Sequence, residues 1–284
     1  MKYSLPFLVL FLFFFETNAQ VSKKSLLWEI KSKEGKTCSF LFGTIHAIDE
    51  TKFYFPKKLE KTLSKSDAIC LEIKNVATDA PSMDKLMLQD KSLNELFNKV
   101  QLDSIYQWAD KFLYLKPQQF DENFGNVKPF VLLQFILQSS LPEKTLSYEQ
   151  LFEDFSLDNK KQLFGLETAD FQLGLFDKMS FEQQVQLVME SLKDVGNAKL
   201  KFEELEAKYL SQDLDALFKY VKEESKLDNR DLLENRNLNW IPLMEKMMEN
   251  KVVFFAFGAA HLAGPEGVIE LLIKKGYQVT PIKL

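Results

Sequence analysis

The sequence predicts an α/β protein whose central mixed sheet draws strands from both chain ends and the middle. Three observations predict it. Apolar runs such as "VVFFAF" (252–257) suit strands covered on both faces. The pattern Phe-x-Phe-Gly-x-x-His occurs twice, at Phe40–His46 and Phe255–His261, and it uses both histidines of the chain. Between these strands lie long stretches with apolar residues at three- and four-residue spacing.

Taken in order, residues 1–19 read as a secretory signal peptide. Lys2 precedes an apolar run from Leu5 to Phe15, and small residues end at Ala19. That run falls short of the ~20 residues a spanning helix requires. No later stretch is long and apolar enough to span, so no membrane span is expected after cleavage. Residues 20–284 read as a single domain, because no Gly/Ser linker divides them. The formal charge of −5, with no run of Lys and Arg, speaks against a nucleic-acid partner.

"SLLWEIKS" and "TCSFLFGTI", joined by "KEGK", predict a hairpin. "DAICLEIKN", "KQLFGLET", "NKVVFFAFGAA" and "GYQVTPIKL" supply four further strands. Helices are predicted over 57–65, 82–100, 102–115, 128–140, 180–195, 200–212, 214–225 and 232–250. The helical insertions are expected to cap the carboxyl ends of the strands, where open α/β sheets bind ligands. A last helix is expected after His261, with Pro265 in its first turn and Gly276 beyond its end.

Both Gly-x-x-His motifs stand at predicted strand ends, and two further strands end in Leu-Glu, at Glu72 and Glu167. The chain therefore reads as two degenerate copies of one unit. Gly43 and Gly258 would permit a sharp exit from the strand, through positive φ or through close backbone approach. If the halves pair, His46 and His261 meet at one rim with Glu72, and with Glu167 nearby. Two imidazoles and a carboxylate suit a divalent ion such as Mn, Co or Zn. Such an ion would favour metal-assisted hydrolysis, with an uncoordinated carboxylate as base. The same residues could also run metal-free acid/base chemistry. Arg236 lies on the helix immediately before the strand that carries His261; it would clamp a carboxylate or orient Glu72, or else form a surface pair with Glu234 or Asp231. HExxH, Walker A, GxGxxG and GxSxG are absent from the sequence. With Cys70 placed level with Thr44, Cys38 falls too far away for a disulfide.

These blocks resemble the TraB/GumN family, which includes the TIKI metalloproteases. The resemblance is carried by "LLWEIKSKEGKTCSFLFGTIH", "SDAICLEI", "LFGLETADFQ", "LLENRNLNWI" and "FFAFGAAHLAGPEGVIELLIKKGYQVTPI". It implies a shared α/β fold and a metal-dependent peptidase site, with His46, His261 and Glu72 as metal ligands. Glu72, Glu167 and Arg236 are then the catalytic candidates, acting on a peptide or small-molecule substrate. The resemblance agrees with an exported protein, periplasmic or secreted. The rival expectation is a non-catalytic protein that binds a peptide or small ligand in the same cleft.

Overall fold

The computed structural model describes residues 24–284 except 33–34, 36–37, 75–79 and 225–229. The expected signal peptide and most of the "KEGK" turn lie outside the described residues. The strands are β1 (Leu27–Lys31), β2 (Cys38–Thr44), β3 (Ile48–Asp49), β4 (Ala68–Ile73), β5 (Thr145–Leu146), β6 (Gln162–Glu167), β7 (Val253–Gly258) and β8 (Gln278–Ile282). The helices are α1 (Lys57–Lys65), α2 (Met83–Leu86), α3 (Leu93–Leu96), α4 (Lys99–Phe112), α5 (Pro117–Phe124) and α6 (Pro129–Gln138). They continue with α7 (Tyr148–Asp158), α8 (Ala169–Phe176), α9 (Phe181–Leu210), α10 (Leu214–Glu224), α11 (Asn235–Met248) and α12 (Val268–Lys274).

Six strands form one mixed sheet in the order β6-β4-β7-β2-β1-β8, and β3 pairs with β5 apart from it. β6, β4, β7 and β2 run parallel, while β1 lies antiparallel to both β2 and β8. The two Leu-Glu strands are neighbours, and so are the two histidine strands. Thr44 stands opposite Gly258 and Ile73 opposite Glu167, so all four motifs reach the same carboxyl rim. Central strands are buried on both faces, as Val253, Phe254, Phe255, Ala256 and Phe257 show, which is why they read as continuous apolar runs.

The register corrects the expected level of the cysteines. β7 separates β2 from β4, and Cys70 is level with Phe255 and so with Leu41. Cys38 then lies two strand spacings sideways and three residues down, roughly 14 Å from Cys70. Both thiols are free, still beyond the ~7 Å a disulfide needs, although by a different register from the expected one.

Two apolar cores build up around this frame. One sandwiches the sheet and includes Phe42, Trp240, Phe254 and Phe257. The other is helical and joins Trp108, Phe120, Phe130 and Val188 from α4, α5, α6 and the first half of α9. The second half of α9 and all of α10 return to the sheet, where α10 packs on the short turn Ala259–His261.

Helix limits differ from expectation in three places. The stretch 82–100 breaks into α2 and α3 before α4 begins. Met87 bridges Val127, and the Leu88 N–H bonds the Asn126 carbonyl at 2.7 Å, so the backbone there is paired as extended chain. Conversely, 180–195 and 200–212 are one helix, because Gly196 faces open space and costs only about 1 kcal/mol against alanine. Pro265 lies outside α12, whose N-cap is Gly267; Gly276 follows its end at φ 90° as expected.

Candidate functional site

Neither motif glycine has positive φ, and close backbone approach requires only the first of them. A Cβ on Gly43 would stand 2.9 Å from the Ala259 Cβ, so this glycine lets the two motif loops pack together. A Cβ on Gly258 would lie 3.4 Å from Glu72 Oε1, 3.6 Å from His261 Cδ2 and 3.8 Å from His46 Nε2. Three of the predicted site residues therefore converge on the space above one glycine.

His261 is buried and braced from every side. Asn237 Nδ2 donates to the carbonyls of Glu266 and His261, which turns its Oδ1 toward the ring. Oδ1 then accepts the Nδ1 proton at 2.6 Å and leaves Nε2 as the basic nitrogen. Arg236 Nη1 donates to that Nε2 at 3.2 Å, and the Trp240 ring lies against the imidazole with centroids 4.4 Å apart. Burial pushes the imidazole down to about 3, and the Arg236 charge works in the same direction. His261 is thus neutral at neutral pH.

Arg236 is the hub. Its Nη2 bonds Glu72 at 2.5 Å and Glu167 at 2.7 Å, and its Nε donates to Glu167 as well. With Nη1 also donating to the Leu232 carbonyl, all five N–H groups are engaged. The surface pair with Glu234 or Asp231 is not formed; Arg236 is buried and turns inward to Glu72 and Glu167, after a π-helical segment over Arg230–Glu234 that leads into α11. Glu167 also accepts from Trp240 Nε1 at 2.7 Å and from Gln172 at 3.0 Å.

Glu72 keeps one oxygen toward the cleft. Oε2 takes Arg236 and Gln172, while Oε1 accepts the Gly258 N–H at 2.9 Å and lies 3.9 Å from His261 Nε2. Burial raises this carboxyl, but the charges around it and the Gly258 N–H outweigh burial and hold it well below the ordinary range. Because His261 is itself neutral, we assign that pull chiefly to Arg236.

His46 differs in exposure and in its partners. Its side chain is 73% exposed, and its Nδ1 meets Glu149 Oε1 at 3.2 Å. Glu149 is fixed in turn by the Thr44 hydroxyl at 2.6 Å and the Ser147 hydroxyl at 2.8 Å. The Glu149 carboxylate raises the imidazole above its ordinary value. Solvent around the open side of the ring limits the size of that effect.

Glu149 and Gln172 were not singled out by sequence reasoning, and Asn237 had no role beyond being the neighbour of Arg236 in "LLENRNLNWI". Asn237 directly follows Arg236, and that adjacency is the signal from which its part could have been inferred. Glu149 had only the signal of an acid in the first turn of α7, which anion–dipole preference explains equally well.

A cavity of about 310 Å³ opens beside His46, Arg236, Gly258 and His261, with Ile45, Leu205, Tyr209, Leu217 and Val221 among its walls. A larger cavity of about 400 Å³ between α6, α9 and α10 contains none of the rim residues. Among the described residues no group of three or more His, Cys, Asp or Glu side chains is assembled as a metal-binding cluster.

A mixed sheet carrying paired Gly-x-x-His loops and two inward glutamates at one rim defines the class of protein. The chain belongs to the TraB/PrgY/gumN family, whose sequence profile matches residues 26–281. No curated protein and no solved structure matches it. No helix of the described residues is long and apolar enough to cross a membrane.

Proposed function

We propose that this chain is an exported, metal-dependent hydrolase that cleaves a peptide bond at the sheet rim. The observation that carries the reading is the convergence of His46, Glu72 and His261 on Gly258, the one residue there without a side chain. Export is supported by the leader-like residues 1–19, and a periplasmic or secreted location follows from it.

The donor set suits a divalent ion such as Mn, Co or Zn in kind. Each imidazole has Nδ1 tied to an oxygen, Glu149 for His46 and Asn237 for His261. Such second partners fix a ring so that Nε2 is the ligand. His46, His261 and Glu72 would hold the ion. When bound, it would acidify a water and polarise the carbonyl under attack. The chain's own residues do the positioning. Arg236 and Glu167 hold Glu72 with Oε1 toward the cleft, so both act through Glu72 and not on substrate. Gly258 leaves room for the reacting carbonyl. The water oxygen joins the carbonyl carbon, the C–N bond breaks, and a proton passes to the leaving amine.

One contact favours a second reading. Arg236 Nη1 already occupies the His261 Nε2 lone pair, and a cation at that nitrogen requires this hydrogen bond to open. If it does not open, the site is a metal-free hydrolase or a binding cleft.

The test is calorimetric titration of Mn²⁺, Co²⁺ and Zn²⁺ into metal-stripped protein 20–284, with His46→Ala and His261→Ala alongside. Peptide cleavage is followed in parallel, with and without chelator. One tight site lost in both variants, together with chelator-sensitive cleavage, is expected. Equal binding by all three proteins sinks the metal reading, and cleavage indifferent to chelator selects the metal-free one.

A further inference from the structure

We infer that the 310 Å³ cavity at the rim is the pocket that chooses the substrate, and that it takes a branched or aromatic apolar group next to the bond cleaved. This rests on the hydrolase reading for what happens to the bond, but not for what the pocket holds.

The cavity's floor is the reactive rim itself: Thr44, His46, Gly258 and His261 line it together with Arg236. Its remaining wall is hydrocarbon, from Ile45 on the first motif loop, Leu205 on α9, Leu217 and Val221 on α10, and Leu232 and Leu233 before α11. Apart from His46 Nε2, which stands at the rim, the polar side-chain atoms in that lining already have partners. Tyr209 donates its hydroxyl to the Gly43 carbonyl at 3.0 Å. Thr44 donates to Glu149, and the five Arg236 donors are all bound to protein groups.

A charged substrate group carried past His46 into the hydrocarbon part of the cavity would lose its water and meet only Leu, Ile and Val side chains there, a cost of several kcal/mol in general. An apolar group gains by leaving water, in proportion to the area it buries. A group about the size of a leucine or phenylalanine side chain suits a space that a wall of leucine, isoleucine and valine bounds. The pocket and the rim are contiguous, so a carbonyl above Gly258 would carry its apolar substituent straight into the cavity.

The test measures binding and cleavage separately. Acetate, succinate, 4-methylpentanoate and 3-phenylpropanoate serve as probes, since each offers a carboxylate to the rim and differs only in its tail. Ligand-observed NMR on protein 20–284 gives their relative affinities. The two apolar tails should bind about 10- to 100-fold more tightly than acetate or succinate. Val221→Trp and Leu232→Trp, each filling the cavity from a different element, should abolish that advantage while the circular dichroism spectrum stays unchanged. Should one of them misfold, the other decides.

Equal binding of all four probes, or an advantage that survives the filled pocket, overturns the inference. Matched peptides with Leu, Phe, Gly or Asp at one position then separate the two claims. Cleavage without side-chain preference removes the pocket and leaves the hydrolase. Apolar preference in binding with no cleavage of any peptide keeps the pocket and removes the hydrolase.

Discussion

The two Gly-x-x-His loops share a spelling and differ in almost everything physical. The second ends in a buried, neutral imidazole wedged among Trp240, Asn237 and Arg236. The first ends in an exposed imidazole whose marked polar partner is Glu149. One loop is built into the core and the other leans over the cleft. The same motif thus supplies a fixed group and an accessible one, and the difference comes from what other elements bring to each. α11 brings Arg236 and Asn237 to the second loop, while α7 brings only the carboxylate of Glu149 to the first.

The largest way to break this contrast is to remove the hub of the second loop. Arg236→Met leaves Glu72, whose side chain is 8% exposed, and Glu167, 5% exposed, without their buried cation. Breaking such a pair typically costs about 3–5 kcal/mol, and urea denaturation at pH 7 should show a loss of that order. Glu149→Gln in the first loop should cost no more than about 1 kcal/mol in the same experiment, because its imidazole partner is open to water. The gap between wild type and Arg236→Met should narrow on acidification. Glu72 has a depressed carboxyl pKa in the folded protein, so its contribution is present above the ordinary carboxylate value and is lost as pH falls through the folded one. A gap that stays constant down to pH 3 would refute the assignment of that depression to Arg236.

The two glycines sharpen the contrast from the other side. A methyl group at Gly43 meets Ala259 at 2.9 Å, so Gly43→Ala should force the loops apart at a cost of about 1–3 kcal/mol. A methyl group at Gly258 meets only ordinary contacts of 3.4–3.8 Å. Gly258→Ala should therefore fold with near wild-type stability and lose metal affinity or turnover, since its methyl enters the space the three side chains share. Finding the stability loss at Gly258 and the functional loss at Gly43 would reverse the roles assigned here.

Much of this was legible because the physics is local. Strands buried on both faces must be apolar throughout, so "VVFFAF" and "AICLEI" marked β7 and β4. The paired Gly-x-x-His spelling marked the rim, and two histidines in one pattern indicated that they meet there. What could not be read was long-range. Nothing near Arg236 announces that all five of its donors turn inward, since a helical arginine beside Glu234 and Asp231 forms a surface pair just as readily. Nothing at Glu149 announces His46, which is 103 residues away in the chain. The order of β2, β7 and β4 decided the cysteine geometry, and order within a sheet leaves no periodicity in any one strand.

The smallest effect is also the most direct reading of the two loops. The chain has only two histidines, so a proton NMR titration of the metal-free protein gives two imidazole curves, assigned with His46→Ala. The curve for His46 should lie above the ordinary 6.5, because Glu149 favours its charged form, and Glu149→Gln should bring it down. The stabilisation this pair gives is complete below pH 6.5 and fades as pH rises through the raised value, by no more than about 1 kcal/mol. His261 should not titrate down to pH 4, since burial pushes it to about 3. Its sign is opposite: the unfolded chain takes up a proton that the folded site refuses, so its contribution is complete above 6.5 and erodes as pH falls toward 3. Two coincident curves near 6.5 would mean that neither the Glu149 contact nor the burial of His261 governs its ring, and the loops would then be alike in chemistry as well as in spelling.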